Sequence, residues 1–362
     1  MRLDRLQLIV VLSAFLATAC SRQADTTGRR ARHLGQMCWS RIETGLVPPA
    51  RLDQAMAVDQ NGGKIYMWGG RGTGQLLKDF WVFSPDKRVW TEIEIDAAPS
   101  ARGGHSLVFD TAFNRLILFG GFSYNSSGEV SFHSDLWLYS FDDGWSREFF
   151  GPGPSGRAWH SALVAQDSMV VFGGFGGSPH YYLQDVWSLD LGELAFRRIA
   201  TDGGPLMTGS PVLLDMGGPT SLLAFGPSAL YVFGREGLTD PDRTGLWSLQ
   251  VELDVWSLVE SGNPPDHDFT LTARGADGKT LLVGRGPDED DEDREWRIWT
   301  ITAGDEEWQE FDASGGPVTA HRMVCASDPV RPGGWICFGG ARHEQVGRET
   351  WSLSPCAEPG EE

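Results

Sequence analysis

The sequence predicts an all-β fold assembled from repeated four-stranded units. Three observations carry this expectation. First, 46 glycines and 20 prolines among 362 residues punctuate the chain too often for long helices, while 41 % hydrophobic and 11 % aromatic content is too rich for disorder. Second, many of the 15 tryptophans recur at nearly constant spacing. Third, apolar runs ending in glycine precede most of those tryptophans. The formal net charge of −19 lacks the basic footprint that nucleic acid or anionic lipid requires.

The chain opens on a segment that reads as targeting rather than fold. Arg2 and Arg5 precede an apolar run from Leu6 through Leu16, and Ala17-Thr18-Ala19-Cys20 closes it with small residues. The run is shorter than the ~20 apolar residues that a spanning helix needs, so it reads as a secretory signal. A cysteine placed directly after small residues resembles the bacterial lipoprotein signal. That resemblance implies cleavage before Cys20 and lipidation of its thiol, with Ser21 pointing to the outer membrane; ordinary secretion after a cut near Ala19 is the alternative. The expected layout is a signal over 1–19, a polar tether over 20–36 carrying Arg29, Arg30 and Arg32, and the repeats over 37–362.

The repeats begin from six segments built around tryptophan: Phe80-Trp81-Val82-Phe83, Leu136-Trp137-Leu138-Tyr139, Val186-Trp187-Ser188-Leu189, Leu246-Trp247-Ser248-Leu249, Ile298-Trp299-Thr300-Ile301 and Thr350-Trp351-Ser352-Leu353. These tryptophans stand 56, 50, 60, 52 and 52 residues apart. A second aromatic follows the first five across a turn: Trp90, Trp145, Phe196, Trp256 and Trp308. Each pair therefore reads as a hairpin. Upstream lies an apolar strand ending in glycine, as in Met67-Trp68-Gly69-Gly70, Leu118-Phe119-Gly120-Gly121, Val171-Phe172-Gly173-Gly174 and Cys337-Phe338-Gly339-Gly340. A first strand follows Pro99-Ser100-Ala101-Arg102-Gly103-Gly104-His105 and Pro154-Ser155-Gly156-Arg157-Ala158-Trp159-His160, with a weaker copy at Pro49-Ala50-Arg51. In the fourth unit the second strand is ambiguous, since Leu223-Ala224-Phe225-Gly226 and Tyr231-Val232-Phe233-Gly234 both fit.

Four strands in about 50 residues, with a double glycine and two spaced aromatics, resemble the kelch repeat. Six such units imply a six-bladed β-propeller, a single ring rather than two domains. The last unit lacks a fourth strand after Trp351, and Met37-Cys38-Trp39-Ser40-Arg41-Ile42 supplies one from the chain start. Closing the ring this way removes an open edge. Packing blade on blade also explains most of the tryptophans; Trp159 and Trp296 fall outside the repeated positions and read as candidates for exposed contact. The closure further places Cys38 beside Cys356 and sets Cys325 opposite Cys337 within one hairpin, so two disulfides are expected in an oxidising compartment.

Chemistry is sparse. Gly70-Arg71-Gly72-Thr73-Gly74 leads into a strand rather than a phosphate-binding helix, and no hydrolase elbow, Walker lysine or zinc motif occurs. Ser140-Phe141-Asp142-Asp143-Gly144-Trp145 partly resembles the aspartate box of sialidase-type propellers, and an ordinary turn explains it. No metal or cofactor is expected. The acidic run from Asp288 to Asp293 reads as a solvated loop, with calcium as its alternative.

Arg102, His105, Arg157 and His160 recur at equal positions, as do Asp79, Asp135 and Asp185 two residues before their tryptophans. They either tie strands through Arg–Asp pairing or belong to a ligand rim, and the resemblance implies such a rim at Arg71, Arg102, His105, Tyr124, Arg157, Trp159, His160, His180, Tyr181, Tyr182 and Arg342. The expected function is an exported, monomeric binding module for an envelope or extracellular protein or a glycan, touching membrane only through its lipid. The alternative is a carbohydrate-active epimerase or lyase using Arg and His near the channel.

Overall fold

The computed structural model describes residues 32–177, 182–200, 221–225, 229–235, 244–250, 253, 255–259, 265, 271–275, 280–285, 296–305, 307–317, 322–342 and 345–356. Cys20 and the segment around it, His180, Tyr181 and the acidic run 288–293 lie outside these residues. The described residues form six four-stranded blades, the arrangement expected of a six-bladed propeller.

Blade one consists of Ala55–Asp59, Lys64–Arg71, Leu76–Ser84 and Val89–Glu92. Blade two consists of Ser106–Asp110, Arg115–Phe119, Leu136–Ser140 and Gly144–Glu148, and blade three of Ser161–Ala165, Ser168–Phe175, Tyr182–Asp190 and Phe196–Ala200. Blade four runs Ser221–Phe225, Leu230–Arg235, Thr244–Gln250 and Val255–Val259, which settles its ambiguity: the segment at 221–225 is the first strand and the one at 230–235 the second. Blade five has Leu271–Arg274, Thr280–Arg285, Trp296–Thr302 and Gln309–Ser314. Blade six has Met323–Ser327, Trp335–Phe338 and Thr350–Pro355, and takes Arg32–Ile42 as its fourth strand.

That N-terminal strand runs antiparallel to the third strand of blade six, from Met37 opposite Pro355 to Ile42 opposite Thr350. It starts within the stretch read as tether: Arg32 to Cys38 also pair in parallel with the outer strand of blade five, Arg32 opposite Gln309 and Cys38 opposite Ser314. A second parallel contact joins the first strands of the two blades, Leu271 opposite Met323. Blades five and six thereby merge into one closed eight-stranded sheet. The disulfides Cys38–Cys356 and Cys325–Cys337 both form, the first across the closure and the second between directly opposed residues of one hairpin.

Aromatic pairs fill the seams between blades. The second-strand aromatic of one blade meets the fourth-strand aromatic of the next: Trp68 with Trp145 at 5.1 Å, Phe119 with Phe196 at 5.4 Å, Phe172 with Trp256 at 5.9 Å, Phe233 with Trp308 at 4.9 Å and Phe338 with Trp90 at 5.3 Å. Such pairs contribute about 0.5–1.5 kcal/mol beyond the area they bury. Blade five has Val283 at this position, and there Trp39 packs on Trp296 at 5.0 Å instead. Trp296 is 1 % exposed, so the expectation that it makes surface contact is corrected: it replaces the missing partner in the sixth seam.

The double glycines bend each second strand at the seam. Gly69 and Gly70, Gly120 and Gly121, Gly173 and Gly174, and Gly339 and Gly340 all have left-handed φ, between 56° and 104°. A Cβ on Gly120 would lie 2.7 Å from the Arg157 carbonyl of the next blade, so space as well as φ demands glycine.

The two disulfides close loops of unequal length, spanning 318 and 12 residues. In the chain-entropy model the short one contributes about 3 kcal/mol and the long one roughly twice that. A Cys38→Ser/Cys356→Ser variant is therefore expected to lower Tm more than Cys325→Ser/Cys337→Ser, measured by calorimetry; the reverse order would show that the clasp does not restrain the ring.

Candidate functional site

Two kinds of connection alternate around the ring. Tight turns join first to second and third to fourth strands on one face, while the longer second-to-third links and the blade-to-blade links share the other. The longer links place Arg71, Tyr124, Tyr182 and Arg342 on the loop-rich face, with Arg342 in blade six, opposite blade three across the ring. Blade two adds a small hairpin there, Phe122–Tyr124 paired with Val130–Phe132.

Arg102 and Arg157 lie beneath this face as parts of a repeated buried lattice, joined by Arg51. Each guanidinium pairs with an aspartate of its own blade: Arg51 Nη1 to Asp79 Oδ1 at 2.7 Å, Arg102 Nη1 to Asp135 Oδ1 at 2.6 Å and Arg157 Nη1 to Asp185 Oδ1 at 2.8 Å. Each also donates to the first glycine carbonyl of its blade, Gly69, Gly120 or Gly173, at 2.9 Å. The same aspartates accept the indole N–H of Trp81, Trp137 and Trp187 at 2.7 Å. Burial alone would raise the Asp135 carboxyl, but Arg102 outweighs it and holds the group down at about 2; Asp185 is lowered in the same way by Arg157. With side chains at most 1 % exposed, Arg102 and Arg157 are scaffold, which corrects their placement on a ligand rim.

His105 and His160 are buried at the inner end of the lattice, and His160 Nε2 shares a 2.9 Å hydrogen bond with Ser106 Oγ of the preceding blade. Gln54 occupies the matching place in blade one and donates to the Phe338 carbonyl at 2.8 Å. Burial, then the Arg157 charge, pushes His160 down to about 3, and burial with Arg102 and His160 pushes His105 well below its ordinary value. Neither imidazole reaches solvent, so neither belongs to a ligand surface.

Among the described residues, three left-handed residues stand in corresponding positions before the first strands: Asp53 at φ 58°, Trp159 at 54° and Arg322 at 60°; blade two has Gly104 there at 64°. A non-glycine residue in this conformation costs about 1–2 kcal/mol. The contacts that offset it converge on Asp53. Trp159 Nε1 donates to Asp53 Oδ1 at 3.1 Å, Arg322 reaches Oδ2 at 3.3 Å, and Arg71 approaches it at 3.6 Å. Trp159 is thus buried, against the expectation of exposure, because its ring covers Gly104 and its N–H is spent across the ring.

An aromatic cluster spreads outward from Trp159. Phe122 lies 4.8 Å from it, Phe175 6.3 Å, Tyr182 packs 5.4 Å from Phe175, and Tyr124 5.9 Å from Phe122. Tyr124 and Val130, opposed across the small hairpin, are 45 % and 40 % exposed, and Tyr182 is half-buried with its hydroxyl pKa raised by burial. Beside them His133 Nε2 and Ser123 Oγ lie 2.8 Å apart. Burial, then Arg102, lowers His133. The structure therefore brings Arg71, Trp159, Tyr124 and Tyr182 to one mouth. Asp53, Phe122, Phe175, Val130 and Arg322 were missed: Phe122 and Phe175 directly follow the double glycine of blades two and three, and Asp53 and Arg322 share the place of Trp159 in the repeat, but the pattern was read only through its glycines, arginines, histidines and tryptophans. Among the described residues no group of His, Cys, Asp and Glu is arranged to hold a metal ion.

Residues 31–212 match the kelch-repeat domain described as KLHDC2/KLHL20/DRC7. The chain belongs to the kelch-repeat family. It is 34 % identical over 175 residues to the flagellar outer-arm dynein alpha chain of Chlamydomonas reinhardtii, covering 44 % of this chain and 4 % of that one. It is 29 % identical over 177 residues to Adagio protein 3 of Arabidopsis thaliana, covering 45 % and 27 %. The kelch chain thus spans a small part of these relatives. The solved structure titled "Structure of YjhT" aligns with 84 % of this chain and 95 % of its own at TM-score 0.58 and 14 % identity, a likeness of fold alone.

Two outcomes test the lattice. Arg102→Ala strands Asp135 in a buried site and is expected to cost about 3–5 kcal/mol in denaturant unfolding; a loss under 1 kcal/mol would make the pair incidental. His160 stays neutral in the fold, so its contribution to stability is complete above pH 6.5 and is lost as the unfolded imidazole takes up a proton on acidification toward 3, by up to about 1.4 kcal/mol per pH unit; His105, lowered chiefly by burial, acts in the same direction. His160→Gln, which copies Gln54 of blade one, is expected to flatten the decline of Tm between pH 7 and pH 4; an unaltered slope would exclude His160 from the acid response.

Proposed function

We propose that this kelch propeller is an exported, lipid-anchored binding module that engages a partner protein through the loop-rich mouth of blades one to three, without catalysis. The observation that carries the reading is the aromatic cluster that runs from buried Trp159 to solvent at Tyr124 and Tyr182. Rigid aromatic anchors with a half-exposed cation, Arg71, beside them have the composition of interaction hot spots. Kelch-repeat chemistry of this kind suits a protein-interaction module. The signal-like N-terminus with Cys20, and two disulfides, support export. A glycan is the second reading, favoured by the flat exposed ring of Tyr124. The carbohydrate-active alternative loses support because its Arg and His candidates are enclosed in the lattice.

Pull-down from cell-envelope extract tests the reading. Tyr124→Ala/Tyr182→Ala is expected to reduce capture at least tenfold with Tm unchanged. A partner set identical to wild type would sink the assignment of this mouth, and capture competed by free oligosaccharide would move the partner class to glycan.

A further inference from the structure

The path of the N-terminal strand determines which face an anchor would hold. Met37 lies opposite Pro355, at the end of blade six where third strands meet their turns, and Arg32 lies opposite Gln309, just after the Gly304-Asp305 turn of blade five. The Cys38–Cys356 bond clamps this point. Chain preceding Arg32 therefore leaves from the turn face, opposite the aromatic mouth. Only 12 residues, 20–31, separate Arg32 from the end of the signal-like segment. Twelve residues span at most about 40 Å.

The turn face has an unusual population of turn tips. Val89, Phe113, Phe141, Leu253 and Val330 sit at or beside tight turns and are 39–67 % exposed, where polar residues ordinarily predominate. Lys87, Arg88 and the half-exposed Arg331 stand among them, with Asp86, Asp142 and Asp143. Apolar tips ringed by mixed charges suit the headgroup boundary of a bilayer without net charge, and the protein's net −19 opposes an anionic one. The loop face also exposes Leu46, Tyr124, Val130 and Phe149. Chain path is what separates the two faces.

We propose that the turn face rests on the zwitterionic surface of the membrane that carries the N-terminal anchor, so that the aromatic mouth points into the aqueous compartment. This rests on the anchored reading above and goes beyond it, since the propeller itself touches lipid. For the test, the chain from Ser21 onward, which holds every described residue, is tethered by an N-terminal hexahistidine to phosphatidylcholine vesicles doped with nickel-chelating lipid. A fluorophore is placed at Asp86→Cys on the turn face or at Ser126→Cys on the loop face, and quenching by a bilayer-embedded quencher is read. Several-fold stronger quenching at position 86 is expected, abolished by Phe113→Ser/Phe141→Ser/Val330→Ser while the protein stays tethered. Equal quenching, stronger quenching at position 126, or a triple variant that behaves as wild type would overturn the proposal. Because chelation supplies the tether, absence of an acyl group on native Cys20 would count against the anchor and leave this result standing.

Discussion

The structure depends on a buried arginine at the inner end of a blade. Its guanidinium gathers an aspartate and a glycine carbonyl of its own blade, while its backbone carbonyl accepts an N–H from the second glycine of the preceding blade: Gly340 to Arg51 at 3.0 Å, Gly70 to Arg102 at 2.9 Å and Gly121 to Arg157 at 2.8 Å. One residue thus ties strands within a blade and blades to each other. A buried charge is tolerable only when its donors are met, and here the bidentate aspartate and the glycine carbonyl meet them. The double glycine is part of the same unit, because only a backbone without Cβ approaches the neighbouring carbonyl closely enough.

That seam explains why the recurring Arg and His residues are poor candidates for chemistry. A catalytic group needs access to substrate and a proton affinity suited to its task. His160, held at about 3 in a closed interior, has neither, and Arg102 has no free face. Function is left to residues that break the repeat. Trp159, Asp53 and Arg322 occupy corresponding left-handed positions but differ in kind, and the Asp53 carboxylate draws the other two together from blades three and six, beneath the aromatic cluster.

Much of the fold was legible in the sequence, because seams between blades repeat the same packing problem and select the same residue types. The tryptophan spacing, the glycine pairs and the borrowed N-terminal strand all follow from that repetition. The candidate site was legible only in part. Tyr124, Tyr182 and Arg71 were found as loop residues near the repeats, but Arg102, Arg157, His105 and His160 looked equally promising, since a periodic polar residue reads the same whether it faces solvent or a neighbouring blade. Trp159 and Trp296 show the complementary error: standing outside the repeat suggested exposure, yet each fills a gap that an irregular neighbour leaves.

By itself the sequence determined the number of units, the strand that closes the ring and the pairing of Cys38 with Cys356, because each depends on spacing along the chain. Only the tertiary structure decided which polar groups are enclosed, how Asp53 draws Trp159 and Arg322 together from different blades, and which face the N-terminal segment leaves. Those outcomes depend on contacts between residues as far apart as Asp53 and Arg322, 269 positions along the chain, and no local pattern records them.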